Sequence, residues 1–327
     1  MLKVAQIGYG LIGKKRVDAL QKLRNNNDIN IMVYDNNPST YHSKKDIAYV
    51  DNINEIEKYN PDLIILSVPH DKVLDYVKLT KNWETDKILV EKPLGRNLSE
   101  TMQIMDCCNK SNIYAGFNYR FYNGIVKAIE HIKDGIFGDI INMNFILGHG
   151  GKVGDERSWK LNSKECGGGC LLDPGIHILD LISMITEVKT IKRLNWKGIW
   201  NTGINEEEHL LMETVDGGII NIQISIVKWV NTFRFEINGY NGYGVVEGRG
   251  GNYGKQTYRI GEKWGWMVHG GTQKESEQLI TEDDCNDSFY KELDCLLFNN
   301  KNYFLKNCTM QEAFQGMYLY NKCLEAK

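Results

Sequence analysis

Short apolar runs separated by amphipathic stretches dominate the first third of the chain. KVAQI at residues 3 to 7 reads as a buried strand, GYGLIG breaks it, and VDALQKL then carries apolar residues at helical spacing. INIMVYD, PDLIILSVP, DKILVEKP and IYAGFNY repeat the strand pattern, while DKVLDYVKLT and LSETMQIMDCCNK repeat the helical one. Buried-looking strands alternating with helices predict a parallel sheet covered on both faces. Residues 1–118 are therefore expected to form a doubly wound domain.

Beyond Arg120 the period changes. One helix, GIVKAIEHIKDG, leads into DIINMNFILG, where Ile141, Met143, Phe145 and Leu147 alternate with Asn142, Asn144 and Ile146, and further alternating runs follow. Most are joined by short Gly/Asn turns, so residues 119–327 are expected to form an α/β domain on an open, largely antiparallel sheet. Whether the C-terminal helix packs back on the first domain stays open. In IINIQISIV, Ile220, Ile222, Ile224 and Ile226 should face the core, and Asn221, Gln223 and Ser225 the other side, without a charge among them. That uncharged face predicts a homodimer or homotetramer formed through the C-terminal sheet, an ordinary solvated face being the alternative.

Bulk properties narrow the field. At 327 residues and 42% apolar, the chain is long enough for two cored domains, and a formal charge of -3 supplies no field for nucleic acid or an anionic membrane. A strand-like run begins directly after Met1 and no apolar stretch approaches membrane-spanning length, so a cytoplasmic protein is expected. The 8 cysteines include Cys107-Cys108 and the C-x3-C pair Cys166 and Cys170, but no paired C-x2-C spacing. Reduced, mostly buried thiols and no metal are the expectation.

Gly8, Gly10 and Gly13 form G-x-G-x-x-G between the first strand and its helix. The first permits a tight turn, the second lets backbone approach a pyrophosphate, and the third lets helix pack on strand. Asp35 ends the second strand, where a carboxylate can bind ribose hydroxyls and repel a 2′-phosphate, so NAD is expected before NADP. Lys14, Lys15 and Arg16 could favour a 2′-phosphate, but read first as a solvated helix face.

GGGCLLDPGIHILDL raises a second question. Three glycines free the backbone, and Asp173-Pro174 reads as an N-cap followed by proline in the first helical turn. On that reading Asp173 and His177 lie four apart on one helix face. Capping and a filled core would explain both residues without chemistry. Asp180, further along, reads as a structural carboxylate.

GYGLIG, EKP at Glu91 to Pro93, GFNYRF at Gly116 to Phe121, and GGGCLLDPGIH together resemble the Gfo/Idh/MocA oxidoreductases over the chain to about residue 185. The resemblance implies a Rossmann domain, a C-terminal α/β domain and a substrate cleft between them. It places Lys92 beside nicotinamide and substrate, Asp173 and His177 in the same cleft, and points to a cis Lys92–Pro93 bond. The dinucleotide contacts it implies fall on Gly8, Gly10, Leu11, Ile12, Gly13, Asp35, Ser67, Pro69, His70, Glu91, Lys92 and Trp159. Two departures stand out: Lys160 follows Trp159 where the family often has Arg, and His70 stands where relatives commonly carry Asn. Lys cannot reproduce a bidentate fork.

Moving hydride from a secondary alcohol to nicotinamide requires a base for the hydroxyl proton and a donor or cation on the oxygen. Lys92 suits the second task and can also relay the proton of the first, and His177, at the positive end of a helix dipole, suits the first as a neutral imidazole. Asp173 orients or binds. Arg120, His149, Lys152 and Arg157, with Lys92, Asp173 and His177, are the candidate substrate contacts. The expected substrate is a polyol, a sugar or a nucleotide-linked sugar. A relative that recycles NAD during glycoside cleavage or epimerisation, and a non-catalytic dinucleotide sensor on the same fold, are the alternatives.

Overall fold

The computed structural model describes residues 1–37, 39, 41, 44, 46–107, 112–151, 158–284 and 287–326. It divides into two compact units: Met1–Asn118 with Lys164–Gly167 and Asp287–Tyr318, and Tyr119–Ser163 with Gly168–Asn286 and Leu319–Lys327.

The first unit is built on a seven-stranded sheet. From one edge its strands are Ile47–Val50, Ile29–Tyr34, Leu2–Ile7, Leu63–Leu66, Lys87–Glu91, Asn112–Gly116 and Cys308–Thr309. All neighbours are parallel except the last pair. The strand order reverses between Leu2–Ile7 and Leu63–Leu66, which creates the crevice where doubly wound folds bind ligands. Two elements that the apolar pattern had not suggested complete the edge. Ile47–Val50 is a strand too short to show a period, and Ile53–Tyr59 is a helix capped by Asn52, whose side chain accepts from Asn54 N at 3.0 Å. Helix Leu11–Arg24 buries Val17, Leu20 and Leu23 against Val4, Ile31 and Leu63, and Leu293 and Leu296 of helix Ser288–Phe298 join the same core.

The second unit carries an eight-stranded sheet, ordered Gln278–Asp283, Gln256–Glu262, Gly242–Glu247, Thr232–Gly239, Ile140–Gly148, Ile219–Ser225, Glu207–Thr214 and Val188–Trp196. Ile140–Gly148 and Ile219–Ser225 run parallel, and every other pair is antiparallel. Met143, Phe145, Leu147, Ile220, Ile222, Ile224, Phe233 and Phe235 are buried, with the rings of the paired Phe145 and Phe235 stacked at 4.3 Å. Helix Asn123–Lys133 lies against Gly242–Glu247, Gln256–Glu262 and Gln278–Asp283, and touches helix Ile176–Ile185.

On the opposite face Asn221 is exposed as expected, but Ser225 is fully buried. Ser225 Oγ is taken up locally, accepting from Val227 N at 3.1 Å. Amides tie the exposed strands together: Asn221 donates to Asn144 Oδ1 at 2.9 Å, and Asn142 Oδ1 accepts from Asn144 at 3.2 Å and Asn238 at 2.9 Å. The six cysteines found free at 107, 166, 170, 295, 308 and 323 are buried, apart from the half-buried Cys107. Among the described residues no helix is long and apolar enough to cross a membrane.

Candidate active site

The three glycines of the turn have different surroundings. Gly8 has φ +87°, and a Cβ there would lie 2.3 Å from Ser67 O, at the point where the strand order reverses. At Gly13 a Cβ would meet Gly8 O at 2.1 Å, so only glycine lets the helix close on the turn. At Gly10 a Cβ would meet nothing within 4 Å. Space is therefore kept at the second glycine, beside the start of helix Leu11–Arg24, where no side chain caps the N–H groups.

Asp35 is half-buried and accepts from Tyr9 N at 2.5 Å and Asn37 N at 2.8 Å, which fastens the end of the second strand to the glycine turn. A carboxylate has about four lone-pair directions, so capacity for ribose hydroxyls is left. Ser67 Oγ is buried and has no hydrogen-bond partner among the described residues. The open space at Gly10, the uncapped helix start, the anchored carboxylate and this orphan hydroxyl fit a dinucleotide.

Other expected contacts in this unit take different positions. Leu11 is exposed, and Ile12 and Pro69 are half-buried. His70 is buried, and its Nδ1 donates to Cys166 O at 2.9 Å, so the imidazole fastens segment Lys164–Gly167. Glu91 accepts from Arg16 Nε at 2.6 Å. Arg16 corrects the reading of a solvated helix face: it is fully buried, also pairs with the buried Glu292, and stacks on Phe289 with Cζ 4.6 Å from the ring. Burial opposes its charge, yet the carboxylates of Glu292 and Glu91 outweigh that and raise its pKa. Lys92 follows directly after this anchored glutamate, half-buried, with a cis bond to Pro93.

In the second unit, helix Ile176–Ile185 starts later than expected. Its N-cap is Gly175, without a side-chain cap, and Asp173-Pro174 is a cis bond within the preceding turn. Asp173 is thus neither the cap nor on the helix face; its carboxylate pairs with Lys160 Nζ at 3.3 Å. His177 keeps its place in the first helical turn, buried, with its ring stacked on Tyr119 at 3.9 Å and 7°. Tyr119 is itself buried, and Tyr122 and Phe233 meet its ring edge-on at 5.3 and 5.8 Å. Burial pushes the Tyr119 phenol far above its usual range, so it stays neutral.

Arg120, expected to reach substrate, is instead buried and gripped by Asp180 through Nε at 2.9 Å and Nη2 at 2.6 Å. The pair ties Arg120 to helix Ile176–Ile185, next to Tyr119, whose ring lies on His177. Trp159 sits half-buried in a short helical turn, Trp159–Leu161, beside Lys160. His149 is half-buried; its Nδ1 accepts from Gly151 N at 3.1 Å, and Lys228 N donates to its carbonyl at 3.2 Å. Lys152 and Arg157 lie outside the described residues. Sequence reasoning did not single out Tyr119, although GFNYRF contained it; no local period marks a ring that will lie on a histidine 58 positions later.

Residues 2–119 match the oxidoreductase family with an NAD-binding Rossmann fold, and residues 125–244 match the GFO/IDH/MocA C-terminal domain. An uncharacterized oxidoreductase of Streptococcus pneumoniae is 22% identical over 192 residues, covering 57% of this chain and 50% of that protein. The chain spans about half the length of the curated relatives it matches. Aldose-aldose oxidoreductase from Caulobacter crescentus, solved with glycerol, superposes with a TM-score of 0.79 at 14% identity over 99% of this chain and 97% of that one. Levoglucosan dehydrogenase, solved with NADH and levoglucosan, gives 0.79 at 14% identity over 99% and 96%. Identities this low carry the fold.

Proposed function

The chain belongs to the Gfo/Idh/MocA oxidoreductase family, and from that premise we propose that it is an NAD-dependent dehydrogenase or keto-reductase acting on a secondary alcohol or ketone of a sugar, cyclitol or nucleotide-linked sugar. The observation that carries this reading is a combination within one chain. A glycine turn keeps open space at Gly10, Lys92 stands just past the carboxyl end of strand Lys87–Glu91, and His177 occupies the first turn of a buried helix.

The glycine turn and the first N–H groups of helix Leu11–Arg24 would hold the pyrophosphate, and Asp35 the adenosine ribose. A carboxylate at that point disfavours a 2′-phosphate, which supports NAD over NADP. Bound NAD supplies the hydride acceptor. The remaining tasks fall to side chains. The Lys92 ammonium donates to the substrate oxygen and stabilises it while its charge changes. His177 takes the hydroxyl proton during oxidation and returns it during reduction. Asp173, paired with Lys160, binds a neighbouring hydroxyl. Tyr119 and the Arg120–Asp180 pair act as positioning groups for His177.

A panel of sugars, inositols and nucleotide-linked sugars, followed by absorbance of NADH with NAD and NADP in parallel, tests this reading. Lys92→Met and His177→Asn should each lower kcat at least about 100-fold while NAD still binds. Tight NAD binding with no turnover on any member, unchanged by either substitution, would overturn the reading in favour of a dinucleotide sensor.

A further inference from the structure

One cation of the second unit stands apart in its surroundings. Arg249 follows strand Gly242–Glu247 in a glycine-rich turn, where Gly248, Gly250, Gly251 and Gly254 all have positive φ. The residue is half-buried, and its Nε is buried without a hydrogen-bond partner among the described residues. The guanidinium lies on two tyrosine rings, with Cζ 4.1 Å from the centroid of Tyr253 and 5.1 Å from that of Tyr119.

Carboxylates close in sequence or in the same group of side chains belong to other cations. Glu247 is paired with Arg234 and lies 3.8 Å from Arg259. Asp173 is paired with Lys160, and Asp180 with Arg120. Among the described residues none pairs with Arg249. A guanidinium stays charged at any pH the protein meets, and withdrawing such a charge from water without a counter-ion is costly. Aromatic faces offset part of that cost. Tyr253 also accepts a side-chain hydrogen bond from the guanidinium, and the rest of the planar fork is suited to an anion with two oxygens.

The position of the fork gives it a use. Tyr119 touches Arg249 on one hand and stacks on His177 at 3.9 Å on the other. Both the fork and the imidazole therefore border the same buried ring. We propose that Arg249 is the anion-binding group of the substrate site, taking a carboxylate or phosphate carried by the molecule whose hydroxyl reacts at His177. The inference rests on the sugar-oxidoreductase reading above and narrows its substrate to an acidic one, either a sugar acid or a sugar phosphate ester.

The test is direct binding to the NADH-loaded protein by calorimetry, using inorganic phosphate, glucose, glucuronate and glucose 1-phosphate on wild type, Arg249→Lys and Arg249→Met. Wild type should prefer one of the two acidic sugars over glucose by about 10- to 100-fold, the range of a charge-assisted contact. Arg249→Met should abolish that preference, and Arg249→Lys should keep only part of it, because an ammonium lacks the fork. Whichever acidic sugar gains identifies the group as carboxylate or phosphate. Equal binding of glucose and both acids by wild type, or an undiminished preference in Arg249→Met, overturns the proposal and leaves Arg249 as packing for Tyr119. Failure of all four probes to bind overturns it too. Arg249-dependent anion binding without turnover on any sugar would sustain this site while removing the dehydrogenase reading. Turnover of neutral sugars with no gain for anions would do the reverse.

Discussion

Three glycines within a span of six residues have three unlike surroundings, and their substitutions should separate cleanly. Gly13→Ala forces a methyl to 2.1 Å from Gly8 O, so backbone must shift; about 1–3 kcal/mol of stability should be lost, read by urea unfolding. Gly10→Ala places its methyl in open space, so stability should hold while NAD affinity falls at least about tenfold. Equal effects of the two substitutions on both measurements would contradict the division of labour. The tight turn at Gly8 and the close approach at Gly13 were legible in advance because a glycine motif is local: its neighbours in space are mostly its neighbours in sequence. Arg16, three positions later, was not. Its partner Glu292 lies 276 residues away, and nothing in the helix pattern around KKR distinguishes a buried cation from a solvated one.

At the scale of elements, the strands and helices with long apolar periods were readable, whereas Ile47–Val50 and Ile53–Tyr59 were too short to show one. The start of helix Ile176–Ile185 was misplaced for a different reason. Asp-Pro before an apolar run has the composition of a cap, but the backbone instead makes a turn through a cis bond, and capping passes to Gly175. The reach of one element to another is what the pattern hides most. Helix Ser288–Phe298 brings Glu292 and Phe289 to Arg16, and Asn307 Nδ2 holds Glu292 O at 2.9 Å. Glu292→Ala should therefore leave a buried guanidinium nitrogen without its acceptor and cost about 3 kcal/mol. Glu292→Gln, which retains an acceptor oxygen, should cost much less. Denaturant unfolding of the two variants decides; identical losses would mean that the ion pair contributes only bulk.

For the whole molecule, both sheet architectures followed from period alone, the parallel one from continuous apolar runs and the largely antiparallel one from alternation. The outer positions of Ile219–Ser225 carry no charge and join an amide ladder of Asn142, Asn144, Asn221 and Asn238, while neighbouring strands add charge: Glu207 accepts from Gln223 at 2.7 Å and Glu236 borders Asn144. On this face Leu211 and Ile219 are 44% and 47% exposed, and the homo-oligomer expected from the sequence would cover them. Sedimentation should find a dimer or tetramer, and Leu211→Glu with Asn221→Lys should shift it to smaller species. A wild-type monomer at micromolar concentration would rule out that use of the face.

The first unit is assembled from three stretches of chain, the last ending at Tyr318. A ribosome will have released most of the polypeptide before Leu293, Leu296 and Glu292 can reach helix Leu11–Arg24. Until then its arginine has only half of its counter-charge and its leucines only part of their cover. Cutting the gene after codon 118 would thus not yield a freestanding nucleotide-binding module; fragments meant for that purpose must carry the distant helix with them.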